Sequence, residues 1–355
     1  MIRKKKHVLI WALVLIFASA GGYAVYYFSN LYNQVSNLQK VGDSSPFRNL
    51  PVTETIVAQE PPKWEGNEPV NILLMGVDGR DALGDDIPRS DTMLVASIDP
   101  VKKAINVFSI MRDTYVDIPG FGKQRINMAI TRGPNTAMEA VGNLMGIPIQ
   151  YYVYTDFEGF IKLVDSVGGI DFYVEKNMKY ISAADGPQYD IDLKEGMQHL
   201  DGRMALQYVR FRHDLLSDFS RTSRQRDFLQ AVGDKLKSTT SVMNLPDILE
   251  QVNPYIDTNL SVSDMWKLAT VAYDSKMNGS EQIPPNSILK EETIGGAAVL
   301  TIRSEDKLKQ FVQDTLNAGS EEAPAEDESD LLQTPFSTPS GPKTEADGLD
   351  ENDQN

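Results

Sequence analysis

The sequence predicts an α/β fold: a mixed central sheet flanked by helices on both faces (an α-β-α sandwich), carried behind an N-terminal transmembrane helix. Three observations predict it. Short apolar runs alternate with segments of helical hydrophobic period from Val70 to Leu316, the pattern of strands layered between helices. Two of the strand-like runs, Thr92–Ile98 and Ala104–Ile110, are joined only by Asp99-Pro-Val-Lys-Lys103. That link is too short for a helical crossover, so the pair is antiparallel and the sheet is mixed. Finally, residues 8–28 carry no charge and follow Arg3, Lys4, Lys5, Lys6 and His7.

At about 1.5 Å per residue, the 21 residues from Val8 to Phe28 reach about 30 Å, the thickness of a bilayer's hydrocarbon core. Basic flanks stay cytoplasmic. Residues 1–7 are therefore expected inside, residues 8–28 across the cell membrane as a signal anchor, and the remainder outside. Tyr26-Tyr27 suits the outer interface. The alternative is a signal peptide cleaved at Ala18-Ser19-Ala20; apolar character continuing past that site favours retention. Residues 29–68 read as a stalk, with a short helix at Asn30–Gln39 and then a Pro-, Ser-, Thr- and Glu-rich stretch without period. The folded domain covers 69–316. Residues 317–355 hold eleven Asp or Glu against the single Lys343 and are expected to be disordered.

The domain opens with Val70-Asn-Ile-Leu-Leu-Met-Gly-Val77-Asp78, an apolar run suited to a strand buried on both faces. After the hairpin, Pro134–Leu144 reads as a helix with Ala137, Val141 and Leu144 or Met145 on one face, and Gln150–Tyr154 as a tyrosine-rich strand. Asp156 is placed to cap a helix at Phe157–Asp165 that Gly168-Gly169 ends. Ile170–Val174 reads as a strand, Lys179–Asp192 as a polar loop, and Leu200–Tyr208 and Ser220–Lys237 as helices. Pro246–Gln251, Val262–Tyr273 and Glu305–Leu316 read as further helices, with a strand at Ala298–Ile302. There is no internal repeat.

With no cysteine, the chain has no disulfide, thiolate metal site or cysteine nucleophile, and three histidines make a histidine-rich metal site an unpromising reading. A net charge of −16 argues against nucleic acid as a partner. Against that acidic background six arginines (Arg203, Arg210, Arg212, Arg221, Arg224 and Arg226) fall in one window, with no lysine between Lys194 and Lys235. A guanidinium is a planar fork that grips phosphate or carboxylate bidentately, whereas an ammonium is a point charge. The window therefore reads as a polyanion site; the plainer reading is a set of arginines paired with surface acids. Arg221, Arg224 and Gln225 share a face if their segment is helical.

Asp78 follows the first strand and Asp91 begins the second. Strand ends are where ligands bind in such sheets, and two convergent carboxylates suit a hard divalent cation completed by phosphate oxygens and water. Each aspartate on its own reads as well as a turn cap. Arg80, Arg89 and Arg112, at strand ends in the same region, tilt the pair toward a magnesium-bridged polyphosphate.

These residues carry a resemblance. Asn71-Ile-Leu-Leu-Met-Gly-Val-Asp78-Gly-Arg80, Arg89-Ser-Asp91-Thr-Met93, Ser109-Ile-Met-Arg112-Asp113-Thr114-Tyr115 and Lys123-Gln-Arg-Ile-Asn127 match the LytR–CpsA–Psr family in sequence and order. So do Val164-Asp165-Ser-Val-Gly168-Gly169-Ile170-Asp171 and Leu200-Asp-Gly202-Arg-Met-Ala205-Leu206-Gln-Tyr208-Val-Arg210-Phe-Arg212. The last block is Asp218-Phe-Ser-Arg221-Thr-Ser-Arg224-Gln225.

The resemblance implies a membrane-anchored enzyme of a mainly Gram-positive cell surface. Such an enzyme moves a glycopolymer, such as wall teichoic acid or capsule, from a polyprenyl (undecaprenyl) diphosphate carrier onto peptidoglycan. Carried over, it makes Asp78 and Asp91 ligands of Mg²⁺. Arg112, Arg210, Arg212 and Arg221 would grip the diphosphate, with Arg80, Arg89 and Gln225 nearby and Asp218 orienting the arginines. Arg112 and Arg221 would also act in catalysis, with Asp78 or Asp113 as the candidate base. Arg203 and Arg226 match no role in the motif, and Arg224 is left open. An apolar channel must take the lipid tail; Tyr151–Tyr154 and Phe157, Phe160, Ile161 and Val164 are candidates, ordinary core packing being the other reading. Met111 stands where the family commonly has proline and Met128 where it often has histidine, and Thr131-Arg-Gly-Pro134 replaces its glycine-rich turn. Two other functions stay open on sequence: a non-catalytic carrier-binding or envelope-regulatory protein, and a diphosphate hydrolase.

Overall fold

The computed structural model describes residues 2–38, 45–47, 50, 64–79, 87–181, 186–212 and 218–318, without the side chains of 2–17 and 20. The first helix, α1, runs from Ile2 to Leu38. The short helix expected at Asn30–Gln39 is the end of this longer one. Leu31, Val35 and Leu38 form a buried stripe on it, packed toward the helix at 245–252 and the strand at 256–258. Among the described residues no helix is long and apolar enough to cross a membrane; the run expected to do so rests largely on side chains outside them. Trp64, in the expected stalk, is buried and donates from its indole to the Glu68 carbonyl at 2.9 Å. The tail beyond residue 318 lies outside the described residues.

Strands β1 (Val70–Val77), β2 (Ser90–Asp99) and β3 (Ala104–Ile110) form an antiparallel meander. A small hairpin follows, β4 (Tyr115–Ile118) with β5 (Gly122–Arg125), and then α2 (Pro134–Met145). Strand β6 (Tyr151–Asp156) returns parallel to β1. Helix α3 (Phe157–Ser166) starts where predicted, with the Asp156 carboxylate accepting from Gly159 N at 2.8 Å, and gives way to Gly168 and Gly169 at φ of 80° and 71°.

A ribbon pairs β7 (Ile170–Val174) with β10 (Gly196–Leu200), and a second pairs β8 (Met178–Tyr180) with β9 (Ile191–Leu193). The expected polar loop at Lys179–Asp192 thus has paired ends. Next come α4 (Gly202–Arg210), α5 (Asp218–Leu236), α6 (Thr239–Met243) and α7 (Leu245–Val252). The chain closes with β11 (Ile256–Thr258), α8 (Val262–Asp274), β12 (Lys276–Ile283), the hairpin β13 (Leu289–Ile294) to β14 (Ala297–Ile302), and α9 (Glu305–Asn317).

The central sheet has the order β11-β6-β1-β2-β3-β12 and mixes parallel with antiparallel pairs, as the short hairpin link requires. Along β1, Leu73, Met75 and Val77 enter one core with Met93, Val95, Phe108, Ile110 and the inner faces of α2 and α9. Ile72 faces the opposite side, where it packs with Trp64, Tyr151 and Leu268 of α8. A separate apolar cluster joins α3, α4, α5 and the β7–β10 ribbon around Phe228. Helices α3 and α4 touch closely: a Cβ on Gly202 would lie 2.3 Å from the Ile161 carbonyl oxygen. Asp165 secures the contact by accepting from Gly202 N at 2.7 Å. This second layer meets the sheet at its β6, β3 and β12 strands and leaves a hollow over the ends of β1 and β2.

Candidate active site

The two predicted metal aspartates owe their position to a bulge. Gly76 pairs with Thr92 and Val77 with Ser90, so Asp91 is the extra residue on β2. A bulge takes one side chain out of the pleat and re-aims it. Asp91 and the buried Asp78, just past the end of β1, consequently line the same cavity. Gly76 faces this cavity too; a Cβ there would sit 3.3 Å from that of Thr92.

Arginines converge on this corner from three elements. Arg112, after β3, holds the Asp91 carboxylate through Nη1, and its Nε stands 3.7 Å from Asp113. Arg212, two residues beyond α4, lies 3.8 Å from Asp91 and 3.7 Å from Asp218. Arg221, one turn into α5, is buried and reaches Asp218 at 2.7 Å. Burial pulls the Arg212 guanidinium pKa down, with Arg112 adding to the effect and Asp218 and Asp91 opposing it. The Asp218 carboxyl is pushed up by burial, against the pull of Arg212 and Arg112. Among the described residues, buried Nε–H groups on Arg112 and Arg221 find no acceptor. Because buried donors are as a rule satisfied, these two fit the edge of an anion.

Arg210, the last residue of α4, sits with its guanidinium 5.0 Å from the Phe157 ring centroid and 5.1 Å from that of Tyr189. Gln225 lines the cavity but spends its amide nitrogen on Thr92 Oγ1 at 2.9 Å and the Val209 carbonyl at 3.3 Å. It ties α5 to β2 and to the end of α4. Arg224, left open on sequence, is buried and structural: it donates to Glu175 and to the Phe211 carbonyl, both at 2.7 Å. By fixing Phe211 it sets where Arg212 emerges. Arg226 donates to Ser280 at 2.9 Å.

Behind this charged mouth lies a cavity of about 570 Å³, within the range of small-molecule pockets. Its walls are apolar: Leu74 and Val153 from the sheet, Phe157, Phe160 and Leu163 from α3, Leu206 and Val209 from α4, and Phe228, Leu229 and Val232 from α5. Of the residues predicted to line a channel, Val153, Phe157 and Phe160 do so. Ile161 and Val164 pack into the helical cluster, and Tyr152 and Tyr154 point to the opposite side of the sheet. Tyr151 is buried at the α8 end. Sequence reasoning missed Tyr180, Ile191, Leu206, Phe228 and Val232; their periodicity reports burial and is silent on what they bury.

Arg112, Arg210, Arg212, Arg221, Gln225, Asp78 and Asp91 therefore come together. Arg89 is exposed and does not line the cavity, and Arg80 lies outside the described residues. Asp113 also stays off the cavity wall, engaged by Arg125 at 3.3 Å and Arg112 at 3.7 Å. Met111, where the family commonly has proline, donates its N–H to the Ile283 carbonyl at 2.8 Å, a bond proline cannot make.

Among the described residues no group of three or more His, Cys, Asp or Glu forms a protein cage. Asp78 and Asp91, two of the three carboxylates in the cavity wall, suit a cation such as Mg²⁺, which keeps its waters and shares phosphate oxygens rather than being caged.

Fold and site together define an α/β protein with an arginine–carboxylate cluster at the mouth of an apolar cavity. Residues 25–316 match the model of the LytR_cpsA_psr family, and the chain belongs to that family. It is 34% identical over 284 residues to the polyisoprenyl-teichoic acid–peptidoglycan teichoic acid transferase TagU of Bacillus anthracis, covering 79% of this chain and 88% of the relative. The TagU of Enterococcus faecalis is 40% identical over 205 residues, 57% of this chain and 65% of that protein's length. The crystal structure of Bacillus subtilis TagV superposes with a TM-score of 0.59 at 28% identity, covering 71% of this chain and 98% of TagV.

Proposed function

We propose that this protein is a phosphotransferase that moves a glycopolymer of the teichoic acid or capsule type from a polyprenyl diphosphate carrier to a peptidoglycan hydroxyl. One observation carries the reading: Arg112 and Arg221, guanidiniums with buried donors that find no acceptor among the described residues, stand at the mouth of an apolar cavity of about 570 Å³. That pairing suits a ligand with a diphosphate head and a hydrocarbon tail. The names of the related TagU proteins point to the same donor and acceptor.

In the reaction, an acceptor hydroxyl attacks the sugar-side phosphorus and the bond to the bridging oxygen breaks. The polyprenyl monophosphate leaves carrying the bond's electron pair. Arg112, Arg212 and Arg221 stabilise charge that grows on the departing phosphate, which is where preorganised donors act most strongly. Arg210, stacked on Phe157 and Tyr189, holds the diphosphate against the start of the apolar wall. Asp218 keeps Arg221 and Arg212 aimed. Asp78 and Asp91 would hold Mg²⁺, whose chemistry there is charge neutralisation and polarisation of phosphate oxygens. Asp78, buried and on the cavity wall, is better placed than Asp113 to take the acceptor proton. The run at 8–28 would anchor the enzyme in the cell membrane with its N-terminus inside and this domain outside.

The test is turnover. Full-length protein in nanodiscs, given a polyprenyl-diphosphate glycan, Mg²⁺ and peptidoglycan fragments, should release polyprenyl monophosphate and label the peptidoglycan. Arg212→Ala should slow this by about 10²-fold or more, the usual loss for one transition-state donor. Release of free glycan phosphate without labelled peptidoglycan would show a hydrolase, and tight donor binding without release a carrier-binding protein.

A further inference from the structure

We propose that the corner between α5 and α6, with the exposed aromatic side of α1, sits in the outer interface of the bilayer, and that the donor's tail enters the cavity there directly from the membrane. The inference rests on the lipid-donor and anchor readings above.

Helix α5 links the two ends of the path. Asp218, Arg221 and Gln225 stand at the charged mouth, and Phe228, Leu229 and Val232 on the same helix line the cavity. The eleven steps from Arg221 to Val232 rise about 16 Å. The helix ends at Leu236, and α6 begins at Thr239. Its last residues, Val242 and Met243, are 42% and 62% exposed. One turn beyond Val232, Leu236 packs on the same helical cluster, and the exposed Val242 and Met243 follow on α6.

That tip is fixed to α1. The Tyr27 hydroxyl donates to the Val242 carbonyl, so α6 is held level with the end of the uncharged run at 8–28. Around it on α1, Tyr23, Tyr26 and Phe28 are exposed by 60% or more. One turn further, Leu31 begins the stripe that α1 buries against the domain, and Asn253 donates to the Gln34 carbonyl at 3.0 Å. No spacer separates membrane run from domain. A helix that leaves the bilayer at Phe28 and is clamped from Leu31 onward brings α6 down to the headgroup level. Aromatic and Met side chains exposed there match what an interface accommodates. A bilayer is favoured over a protein partner because the patch continues the apolar run along the same helix.

The chain has no cysteine, so single-cysteine labelling is unambiguous. Full-length Met243→Cys, Tyr26→Cys and Val101→Cys, each carrying an environment-sensitive fluorophore, would be placed in phosphatidylcholine–phosphatidylglycerol vesicles with headgroup-region nitroxide lipids. Labels at 243 and 26 should lose about half their emission or more, as interfacial groups do, while the exposed 101 label in the β2–β3 turn keeps its own. Quenching at 26 but not 243 would overturn the proposal and spare the anchor. Quenching at neither would remove both, and equal quenching at all three would overturn a specific surface. A bilayer-borne polyprenyl diphosphate with a photoreactive group in mid-tail should crosslink to Leu236–Asn244 and the cavity face of α5. Crosslinks confined to other elements would overturn the entry path, and absence of any crosslink would instead sink the lipid-donor reading on which it rests.

Discussion

Arg221→Lys isolates the fork from the charge. The Arg221 side chain is 3% exposed, with one Nη 2.7 Å from Asp218 and a buried Nε–H that no atom of the described residues accepts. Lysine keeps the charge and can still reach the Asp218 carboxylate, but it offers one compact ammonium where a planar fork stood. A diphosphate would then lose one or two charge-assisted hydrogen bonds, worth about 1.5–3 kcal/mol each. Water at the cavity mouth replaces part of that. The expected loss is about 2–3 kcal/mol, or roughly 30- to 150-fold in Kd. Calorimetric titration with farnesyl diphosphate in the presence of Mg²⁺ measures it, with farnesol as the apolar control, whose binding should not change. Thermal unfolding should move by only a few degrees. If Arg221→Lys binds farnesyl diphosphate within about threefold of the parent, Arg221 merely pairs with Asp218 and the cradle reasoning fails at its best-buried member.

Leu206→Trp, which fills the cavity wall, should exclude long polyprenyl diphosphates while inorganic diphosphate still binds at the mouth; unaltered competition between the two would place the tail elsewhere. Asp218 is pushed up by burial, so the native state favours its protonated form, and that contribution is lost as pH rises through the folded pKa. Asp218→Asn should accordingly raise the midpoint of unfolding at pH 7 and make no difference once pH falls below the ordinary carboxylate range, about 4; lowered stability at pH 7 would mean the Arg221 pair outweighs desolvation. Tyr152→Phe removes a buried 2.6 Å hydrogen bond to Asp257 on the far side of the sheet from the site. It should cost about 1–3 kcal/mol of stability in chemical denaturation and leave diphosphate affinity unchanged.

Where a side chain's burial is written in its neighbours, the sequence is legible. The three meander strands, the Asp156 cap and the Gly168-Gly169 stop follow from short-range pattern, and the short link at Asp99–Lys103 alone made the sheet mixed. The edge strands β11 and β12 were invisible. Lys276-Met-Asn-Gly-Ser-Glu-Gln-Ile283 has no apolar run, because an edge strand meets solvent and need not hide its side chains. In the site, the arginine bias pointed to residues that the fold does bring together, yet not to the division of labour among them. Arg221, Arg224 and Gln225 share a buried face of α5 as their spacing requires, but periodicity cannot say that Arg224 turns to Glu175 and Phe211 while Arg221 faces the mouth. Nor can it foresee the bulge that frees Asp91. The cavity was least legible, since Phe228 and Val232 look like any core residues until the layer beneath them is seen to be hollow.

The cradle's own charge explains why cation and diphosphate belong in one proposal. Four arginines line the described cavity, but so do Asp78, Asp91 and Asp156, and Asp218 sits against Arg221 and Arg212. Fixed positive charge is thus nearly cancelled by carboxylates. That cancellation offsets the repulsion among guanidiniums crowded into a partly buried corner; burial first, and Arg112 second, still pull the Arg212 pKa down. It also leaves little net attraction for a diphosphate arriving alone. Asp91 is the pivot, because the carboxylate suited to a cation is the one Arg112 and Arg212 now hold. A cation at Asp78 and Asp91 would weaken that hold and release both guanidiniums toward phosphate oxygens. The two ligands would then favour each other's binding through one shared aspartate.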